Sequence, residues 1–371
     1  MLTTPPPDDS LPPVTETNMK LLWEIPYEFV GSNIVASPLI LGDSLVIMSA
    51  GKEIFAVEQM TGKIRWKYFV DNGTNIQTDG FAADDEHLYM THIEDVRAIN
   101  ISNGTLVWLT PMPNERGAFW YHSILLNGDK LYVPSDISLY CLSSSSGNII
   151  WQKTFYPERG LLGNPVFFDN EIIISRDHGF DDSSGTIAGV IGELYTLDEL
   201  NGDSIRSIRI KGDGGFNKIV IDNGIVYGGT HFPYSSASFE AFDAATGERK
   251  WSYYTPNQAW DYNDCVIAGD KVIANTAPYW VSAFNKNTGV LLWRKFIIEN
   301  ADSWKVYFYD GFIYHPHAGA LYILNPENGE IVHTLRPEGR QIRTIAVGNG
   351  KVFVCGHPTL QCYETYKPER K

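Results

Sequence analysis

Histidines give the first chemical signal in the sequence. His315 and His317 are separated by one residue, so an extended backbone places both imidazoles on the same side. Imidazole is a ligand of zinc and manganese, and a zinc site needs three or four donors at about 2 Å. His231 and His357 are candidates for the remaining donors. The pattern predicts a transition-metal site if the fold brings these residues together.

Tyr121 and His122 give a second candidate chemistry. They are adjacent in the sequence, and they pair a phenol with an imidazole. Together with Arg343, such groups can act as the acid and the base of polysaccharide elimination. A lyase is therefore one of the functions that the residues allow.

A turn followed by tryptophan recurs along the chain and defines the elements that must position these residues. In five copies, Thr, Asn or Ser precedes a glycine, and a tryptophan follows that glycine four residues later. Two further copies carry Arg206 or His333 in place of the tryptophan. The turn glycines are separated by 42, 43, 55, 45, 42 and 40 residues and are Gly62, Gly104, Gly147, Gly202, Gly247, Gly289 and Gly329. This period is typical of a four-stranded propeller blade.

The repeats predict an all-β fold, an eight-bladed β-propeller of four-stranded blades. Trp23 lies in a strand with no preceding turn, whereas residues 342–363 supply three strands and no fourth. Pairing the N-terminal strand into the last blade completes the eighth blade and removes an open sheet edge. Tryptophan fills the seams between blades, so Arg206 and His333 must be compensated there.

The spacing of 55 residues marks an insertion in the fourth repeat. The extra residues fall between Arg176 and Gly192, and this segment contains Asp177, Asp181 and Asp182. Charged residues in an insertion are typical of a solvated loop. We therefore expect a loop there.

Loops between blades, and loops between the second and third strands of a blade, lie on one face of a propeller, here called the top face. Seven of the nine histidines map to these loops: His92, His122, His178, His231, His315, His317 and His357. Further candidates in these loops are Trp120, Trp260, Asn263, Trp304, Lys305 and Arg343. Aromatic rings with convergent polar groups are typical of a ligand funnel. We expect a protein segment or a carbohydrate to bind there.

Composition excludes several classes of function. The chain has 29 basic and 44 acidic residues and a net charge of −15, which argues against a nucleic-acid partner. No stretch approaches the ~18 to 20 apolar residues of a membrane-spanning helix. The four cysteines form no CxxC pair for zinc or c-type haem. Cys355 and Cys362 flank a predicted hairpin loop, where either a disulfide or two buried thiols fits.

The repeat unit resembles that of pyrroloquinoline-quinone (PQQ) propellers. Residues 241–251 read AFDAATGERKW, which resembles the pattern A-x-D-x-x-T-G-x-x-x-W. Similar units recur, and the resemblance covers the chain from about residue 20 to about residue 365. The resemblance implies the fold of this superfamily, which holds quinoprotein alcohol dehydrogenases and also binding propellers of the outer-membrane-assembly lipoprotein type.

One segment resembles the catalytic segment of quinoprotein alcohol dehydrogenases. Residues 254–263 read YTPNQAWDYN, beside the family pattern T-P-N-D-x-W-D-Y-D. In that family the Asp after Trp is the base that takes the alcohol proton, and Asp261 matches it. The family's metal-binding Asn falls near His231. Its metal-binding Glu falls near Asp177 and His178, without a clear match.

The resemblance also implies a cofactor slot. Quinone-assisted oxidation needs a hard cation such as calcium, held by oxygen ligands against PQQ. The slot would have Trp120, Trp260 and Trp304 as walls and polar contacts from Asn263, Lys305 and Arg343. Imidazole in place of Asn and Glu suits a transition metal better than calcium. The leading hypothesis is therefore a binding module. The alternatives are a metal- or PQQ-dependent oxidoreductase with Asp261 as base, and a lyase.

We expect residues 1–19, which are rich in proline, to be a tether ahead of a propeller at residues 20–371. The tether resembles the linker that follows the lipid-bearing cysteine of bacterial surface lipoproteins. This resemblance predicts a periplasmic or cell-surface protein with a lipid anchor, either a monomer or a subunit of an envelope complex. A cytoplasmic start with a frayed tail is the alternative.

Overall fold

Each sequence repeat becomes one four-stranded antiparallel sheet, and eight such sheets form the blades of a β-propeller. The coordinates are those of a computed structural model. It describes residues 19–27, 36–70, 80–92, 95–113, 124–135, 137–155, 160–181, 187–230, 236–256, 261–277, 280–297, 305–337 and 341–368.

The first half of the chain forms the N-terminal strand and blades 1 to 4. Strand β1 spans Leu21–Pro26. Blade 1 contains β2 Leu39–Leu41, β3 Leu45–Ala50, β4 Glu53–Glu58 and β5 Ile64–Phe69. Blade 2 contains β6 Ala82–Ala83, β7 His87–His92, β8 Asp95–Asn100 and β9 Leu106–Pro111. Blade 3 contains β10 Leu125–Asn127, β11 Lys130–Pro134, β12 Ser138–Ser143 and β13 Ile149–Thr154. Blade 4 contains β14 Val166–Phe168, β15 Glu171–Asp181, β16 Ile187–Asp198 and β17 Ser204–Arg209.

The second half forms blades 5 to 8. Blade 5 contains β18 Phe216–Asp222, β19 Ile225–Thr230, β20 Ala237–Asp243 and β21 Arg249–Thr255. Blade 6 contains β22 Asp261–Ala268, β23 Lys271–Ala277, β24 Trp280–Asn285 and β25 Leu291–Phe296. Blade 7 contains β26 Tyr307–Tyr309, β27 Phe312–His317, β28 Ala320–Leu324 and β29 Ile331–Leu335. Blade 8 contains β30 Gln341–Gly348, β31 Lys351–His357 and β32 Thr359–Glu364.

Strand β1 closes the ring, as the sequence predicts. It pairs antiparallel with β32 and becomes the outer strand of blade 8, with Trp23 opposite Cys362. The eight-bladed fold and its closure by the N-terminal strand are both confirmed.

The apolar core is divided among the seams between neighbouring blades. The seam of blades 5 and 6 is typical, because Phe239 of one blade packs against Tyr262 of the other within a single buried cluster. Each of the eight seams holds one such cluster. Blade pairs therefore bury their faces against each other, and the described core lies between the blades.

Tryptophans join neighbouring blades at the bottom face, where the turns between the third and fourth strands lie. Each indole Nε1 donates to a backbone carbonyl of the next blade; Trp66, for example, donates to Ile101 at 2.6 Å. Each ring also lies against a turn glycine of that blade, such as Gly104. The tryptophans with these contacts are Trp23, Trp66, Trp108, Trp151, Trp251 and Trp293.

The two repeats without tryptophan are compensated, as predicted. The Arg206 guanidinium donates to the Ala244 carbonyl of blade 5 at 2.5 Å and to Glu171 at 2.7 Å. His333 stacks on Tyr366, with ring centroids 5.6 Å apart. Arg206 and His333 thus occupy the position of the tryptophan, but their contacts are chemically different from those of an indole.

The insertion in blade 4 is a pair of strands, so the expectation of a loop there is wrong. Strands β15 and β16 pair from Glu171–Asp198 to Asp181–Ile187, well beyond the rest of the blade. Residues 187–191 of the insertion are Ile, Ala, Gly, Val and Ile, and the β-branched Ile and Val favour a strand. Residues 177–181 and 187–192 are called the ribbon below. Asp177 and Asp181 lie in the ribbon, and Asp182 lies outside the described residues.

The cysteines are thiols. Cys141, Cys265, Cys355 and Cys362 are all buried and unpaired. Cys362 is opposite Phe353, and Cys355 is opposite Leu360, so the two residues are not cross-strand partners. Of the two alternatives that the sequence allows, the structure has buried thiols. The described residues contain no helix long and apolar enough to cross a membrane.

Candidate functional site

Several predicted site residues lie outside the part of the chain that the structure describes. Asp261 is the first residue of β22, but only its backbone is described, and the same holds for His357 in β31. Outside the described residues are Trp120, Tyr121, His122, His231, Trp260 and Trp304. Their roles stay predictions.

Asp264 forms the centre of a polar cluster at the inner strands. It is buried, and its Oδ1 lies 2.6 Å from the Lys218 Nζ of blade 5. Its Oδ2 accepts a hydrogen bond of 3.0 Å from the Val306 backbone N–H. Burial alone would lower the pKa of Lys218, but the Asp264 carboxylate outweighs burial and raises it. One carboxylate thus joins three consecutive blades.

Lys305 begins a second set of contacts. Its Nζ donates to the Ser37 hydroxyl at 2.6 Å, and that hydroxyl lies 2.8 Å from Thr344 Oγ1. These residues come from the segments leading into blades 7 and 1 and from β30 of blade 8. The predicted cofactor contact Lys305 therefore joins blades across the closure of the ring.

His315 and His317 are buried side by side in blade 7, with stacked rings 5.2 Å apart. The His315 Nδ1–H donates to the Lys305 carbonyl at 3.0 Å. Burial, aided by His317, lowers the pKa of His315 to about 3. His315 is therefore neutral near pH 7 and has a structural partner.

The remaining described candidates take different positions. Asn263 is buried beside Asp264, and its carbonyl accepts a hydrogen bond of 3.3 Å from Asn217. Arg343 is exposed on β30. The structure thus brings Asn263 and Lys305 to the same part of the ring as Asp264, because Lys305 precedes Val306.

Asp177 and His178 lie at the base of the ribbon. Asp177 Oδ1 accepts a hydrogen bond of 2.6 Å from the Leu161 N–H, which fixes the ribbon to a loop. His178 Nδ1 lies 3.9 Å from Glu193 Oε2. Burial and the nearby Arg176 lower the pKa of His178. Blades 5 and 6 separate these residues from His315 and His317 in blade 7.

The described residues do not fit the metal and quinone site of the dehydrogenases. No group of three or more His, Cys, Asp or Glu side chains among them is placed to hold a metal ion. The Asp264 oxygens already contact Lys218 and the Val306 N–H. An oxygen shell for calcium is not assembled in this part of the chain.

The sequence did not single out Asp264, Ser37 or Thr344. Strand β22 has a register shift between Tyr262 and Asp264, which places an extra residue in the strand. A bulge has no clear signature in a single sequence. The resemblance to the catalytic segment therefore indicates Asp261 and not Asp264. The hydroxyl pair lacks a sequence signal, since Ser37 and Thr344 lie at opposite ends of the chain.

Two curated proteins are similar to the chain. The chain is 24% identical over 201 residues to the outer membrane protein assembly factor BamB of Legionella pneumophila (strain Paris), covering 52% of this chain and 49% of that protein. It is 24% identical over 288 residues to the tetrathionate hydrolase of Acidithiobacillus ferrooxidans, covering 64% of this chain and 53% of that protein. The chain spans about half the length of these relatives.

Solved structures share the fold. BamB from Moraxella catarrhalis has a TM-score of 0.71 at 18% identity, covering 93% of this chain and 99% of that chain. The quinohemoprotein alcohol dehydrogenase ADHIIG from Pseudomonas putida HK5 has a TM-score of 0.71 at 11% identity, covering 95% of this chain and 78% of that chain. At these identities the likeness concerns architecture alone.

The family match is more specific. The family model described as outer membrane protein assembly factor BamB matches residues 14–122 and 135–303, which is well over half of the chain. The matched residues include the tryptophan repeats of blades 1 to 3, 5 and 6, and the ribbon of blade 4. The chain therefore belongs to the BamB family of outer membrane protein assembly factors.

Proposed function

We propose that this chain is a protein-binding scaffold in outer-membrane assembly and that it has no catalytic reaction of its own. The observation that carries the proposal is the family match over residues 14–122 and 135–303. The geometry of the described polar residues supports it. Asp264 and Lys305 contact neighbouring blades, and His315 holds the backbone of Lys305 within blade 7, so these groups stabilise the ring.

The partner in this proposal is a protein, and it binds at the top face. Among the partners that the sequence left open, a protein segment is favoured over a carbohydrate because the family and the Legionella relative are both described as protein assembly factors. A rigid propeller with blade-specific loops presents a broad surface for such a partner.

The proposal also gives the chain a location. A factor in outer-membrane assembly works in the cell envelope, which agrees with the predicted export to the periplasm. The lipid anchor that the tether at residues 1–19 predicts would hold the propeller at the membrane as a subunit of an envelope complex.

Deleting the gene from its native host tests the assembly role. We expect lower amounts of folded β-barrel proteins in the outer membrane, measured by their heat-modifiable migration on gels. A plasmid copy of the gene should restore them. Unchanged β-barrel proteins in the deletion strain would contradict the proposal.

Titration with PQQ and Ca²⁺ tests the enzyme alternative on the purified full chain. A bound ligand raises the melting temperature by mass action. We expect no shift and no quinone absorbance after gel filtration. Stoichiometric binding that is lost in Asp261→Ala and Trp260→Ala, but retained in Trp23→Phe on the opposite face, would replace the scaffold with an oxidoreductase.

A further inference from the structure

We propose that the ribbon of blade 4 is a docking site at which a partner protein adds an extended strand to β16. The inference rests on the protein-binding role proposed above, and it assigns a particular surface and a binding mode to that role. The ribbon combines an open backbone edge, a base held by loops and an uncharged stretch of β16 at residues 187–192.

The open edge begins where β17 ends. Strand β16 pairs with β17 from Glu193 to Leu197, and the Ile210 N–H adds one hydrogen bond of 2.9 Å to the Gly192 carbonyl. Residues 187–191 continue the strand, and their ladder partner is β15. Within the described residues, no backbone hydrogen bond reaches residues 187–191 from the side opposite β15.

The direction of the open backbone groups follows from Gly192. Its carbonyl points toward the β17 side, because it accepts the Ile210 N–H. Alternate residues of a strand direct their N–H and C=O groups to the same side. The N–H and C=O of Val190 therefore point away from β15, into the space that a longer β17 would occupy. A partner strand placed there would extend the four-stranded order of blade 4.

Loops on both sides hold the base of the ribbon in place. On one side, the Asp177 N–H donates to the Leu161 carbonyl at 3.0 Å, and the Gly163 N–H donates to Ser175 at 2.8 Å. On the other side, Gly192 contacts the Gly214 backbone so closely that an added Cβ would lie 1.8 Å from that carbonyl oxygen. A fixed strand loses little entropy when it acquires a partner.

The two strands of the ribbon differ in charge, which specifies the occupant. Residues 187–192 read IAGVIG and carry no charge, whereas Asp177 and Asp181 lie on β15 and Asp182 follows. Sheet edges are usually blunted by charge or proline, and this edge has neither. The edge fits an extended segment with apolar alternate residues and basic flanks. A second copy of this chain is disfavoured, since both copies carry −15.

A proline substitution tests the pairing with little change to the fold. Val190→Pro removes the N–H that points to the open edge, while the bonds to β15 come from the residues on either side. Val190→Thr is the matched control, because it keeps the N–H and a β-branched side chain. The probe is a fluorescein-labelled peptide, Lys-Lys-Val-Thr-Val-Thr-Val-Lys-Lys, and its anisotropy is measured with the full chain.

We expect wild type and Val190→Thr to bind the peptide within twofold of each other and Val190→Pro to bind it roughly three- to tenfold more weakly. A second variant replaces residues 179–190 by Asn-Gly, which closes a tight hairpin between the hydrogen-bonded pair His178 and Ile191 and removes Val190, and it should lose binding. Thermal melting checks that both variants fold.

Each other outcome overturns the inference. Equal binding by Val190→Pro, an equal loss in Val190→Thr, or no binding by the wild type removes the strand-addition mode. Self-association of the wild type that Val190→Pro abolishes, seen by ultracentrifugation, would make a second copy the occupant. The assembly role itself is judged separately. If both variants restore the β-barrel proteins of the deletion strain, the role stands and the ribbon is not its docking site.

Discussion

The two faces of the propeller are built on different principles. At the bottom face, the turns are short, and the same contact recurs: a tryptophan of one blade against a turn glycine and a carbonyl of the next. At the top face, the contacts differ from seam to seam: Asp264 with Lys218, Lys305 with Ser37, and the ribbon with its loops. The repeated tryptophan contact therefore joins the blades at the bottom face. The contacts at the top face can differ from blade to blade.

The difference has an energetic basis. A bottom-face contact combines apolar burial, a hydrogen bond and a backbone that glycine alone adopts without strain. A top-face contact joins polar groups that are partly offset by their own desolvation. We therefore expect substitutions at the bottom face to have the larger effects on the free energy of unfolding.

A pair of glycines measures the bottom-face contact with the largest expected effect. Gly104 has φ of 76° and would place a Cβ 2.7 Å from the Trp66 ring, whereas Gly311 has φ of 80° with nothing within 4 Å. Gly311→Ala should lower the free energy of unfolding by about 1 kcal/mol through backbone strain alone. Gly104→Ala should lower it by about 3 kcal/mol, because overpacking adds to the same strain.

Urea denaturation of the two variants gives the comparison directly. Since the φ angles are nearly equal, the difference between the variants isolates the tryptophan contact. Equal midpoints for Gly104→Ala and Gly311→Ala would show that the Trp66 ring moves aside without cost and that the tryptophan contact adds nothing to the cost of the substitution.

The sequence predicts the contacts of the bottom face well because each sequence repeat makes the same contact. The Thr-Gly and Trp positions predict eight blades, and the unpaired strand at Trp23 predicts the closure with β32. The substitution of Trp by Arg206 predicts compensation, although not that Glu171 and the Ala244 carbonyl provide it.

The top face is harder to predict because its contacts are not repeated. The position of the Asp264 side chain depends on a register shift in β22. The contact between Ser37 and Thr344 depends on the closure of the ring. The insertion in blade 4 has charged residues typical of a loop at Asp177 and Asp181, but both residues lie in the long strand β15. Tertiary pairing decides such segments, and local composition does not.

Acid should weaken the top face through His315. Its pKa is lowered to about 3 by burial, so the folded chain binds this proton less readily than the unfolded chain, whose histidines titrate near about 6.5. The neutral imidazole contributes stability above about pH 6.5, and this contribution is lost as the pH falls toward 3. Between pH 7 and pH 5 the loss should be about 2 kcal/mol.

Unfolding by urea at pH 7, 6 and 5 measures this loss against His315→Gln. Glutamine keeps a donor for the Lys305 carbonyl but takes up no proton in this range. The free energy of unfolding of the variant should therefore fall less than that of the wild type as the pH falls. Carboxylates that protonate in this range affect both proteins equally. Parallel pH profiles for the two proteins would mean that His315 protonates without cost in the folded chain.

The smallest effect is expected for the charge pair of Asp264 and Lys218. Their atoms are 2.6 Å apart and Asp264 is buried, but the Lys218 side chain keeps 38% of its surface exposed, so solvent partly screens the pair. In a double-mutant cycle, Asp264→Asn keeps an oxygen for the Val306 N–H, and Lys218→Gln removes the opposite charge. We expect a coupling energy of about 1 kcal/mol from urea denaturation, and it should shrink as NaCl rises. A coupling as large as the loss in Gly104→Ala, and insensitive to salt, would make Asp264 a support of the ring equal to the tryptophans and would remove the distinction between the faces.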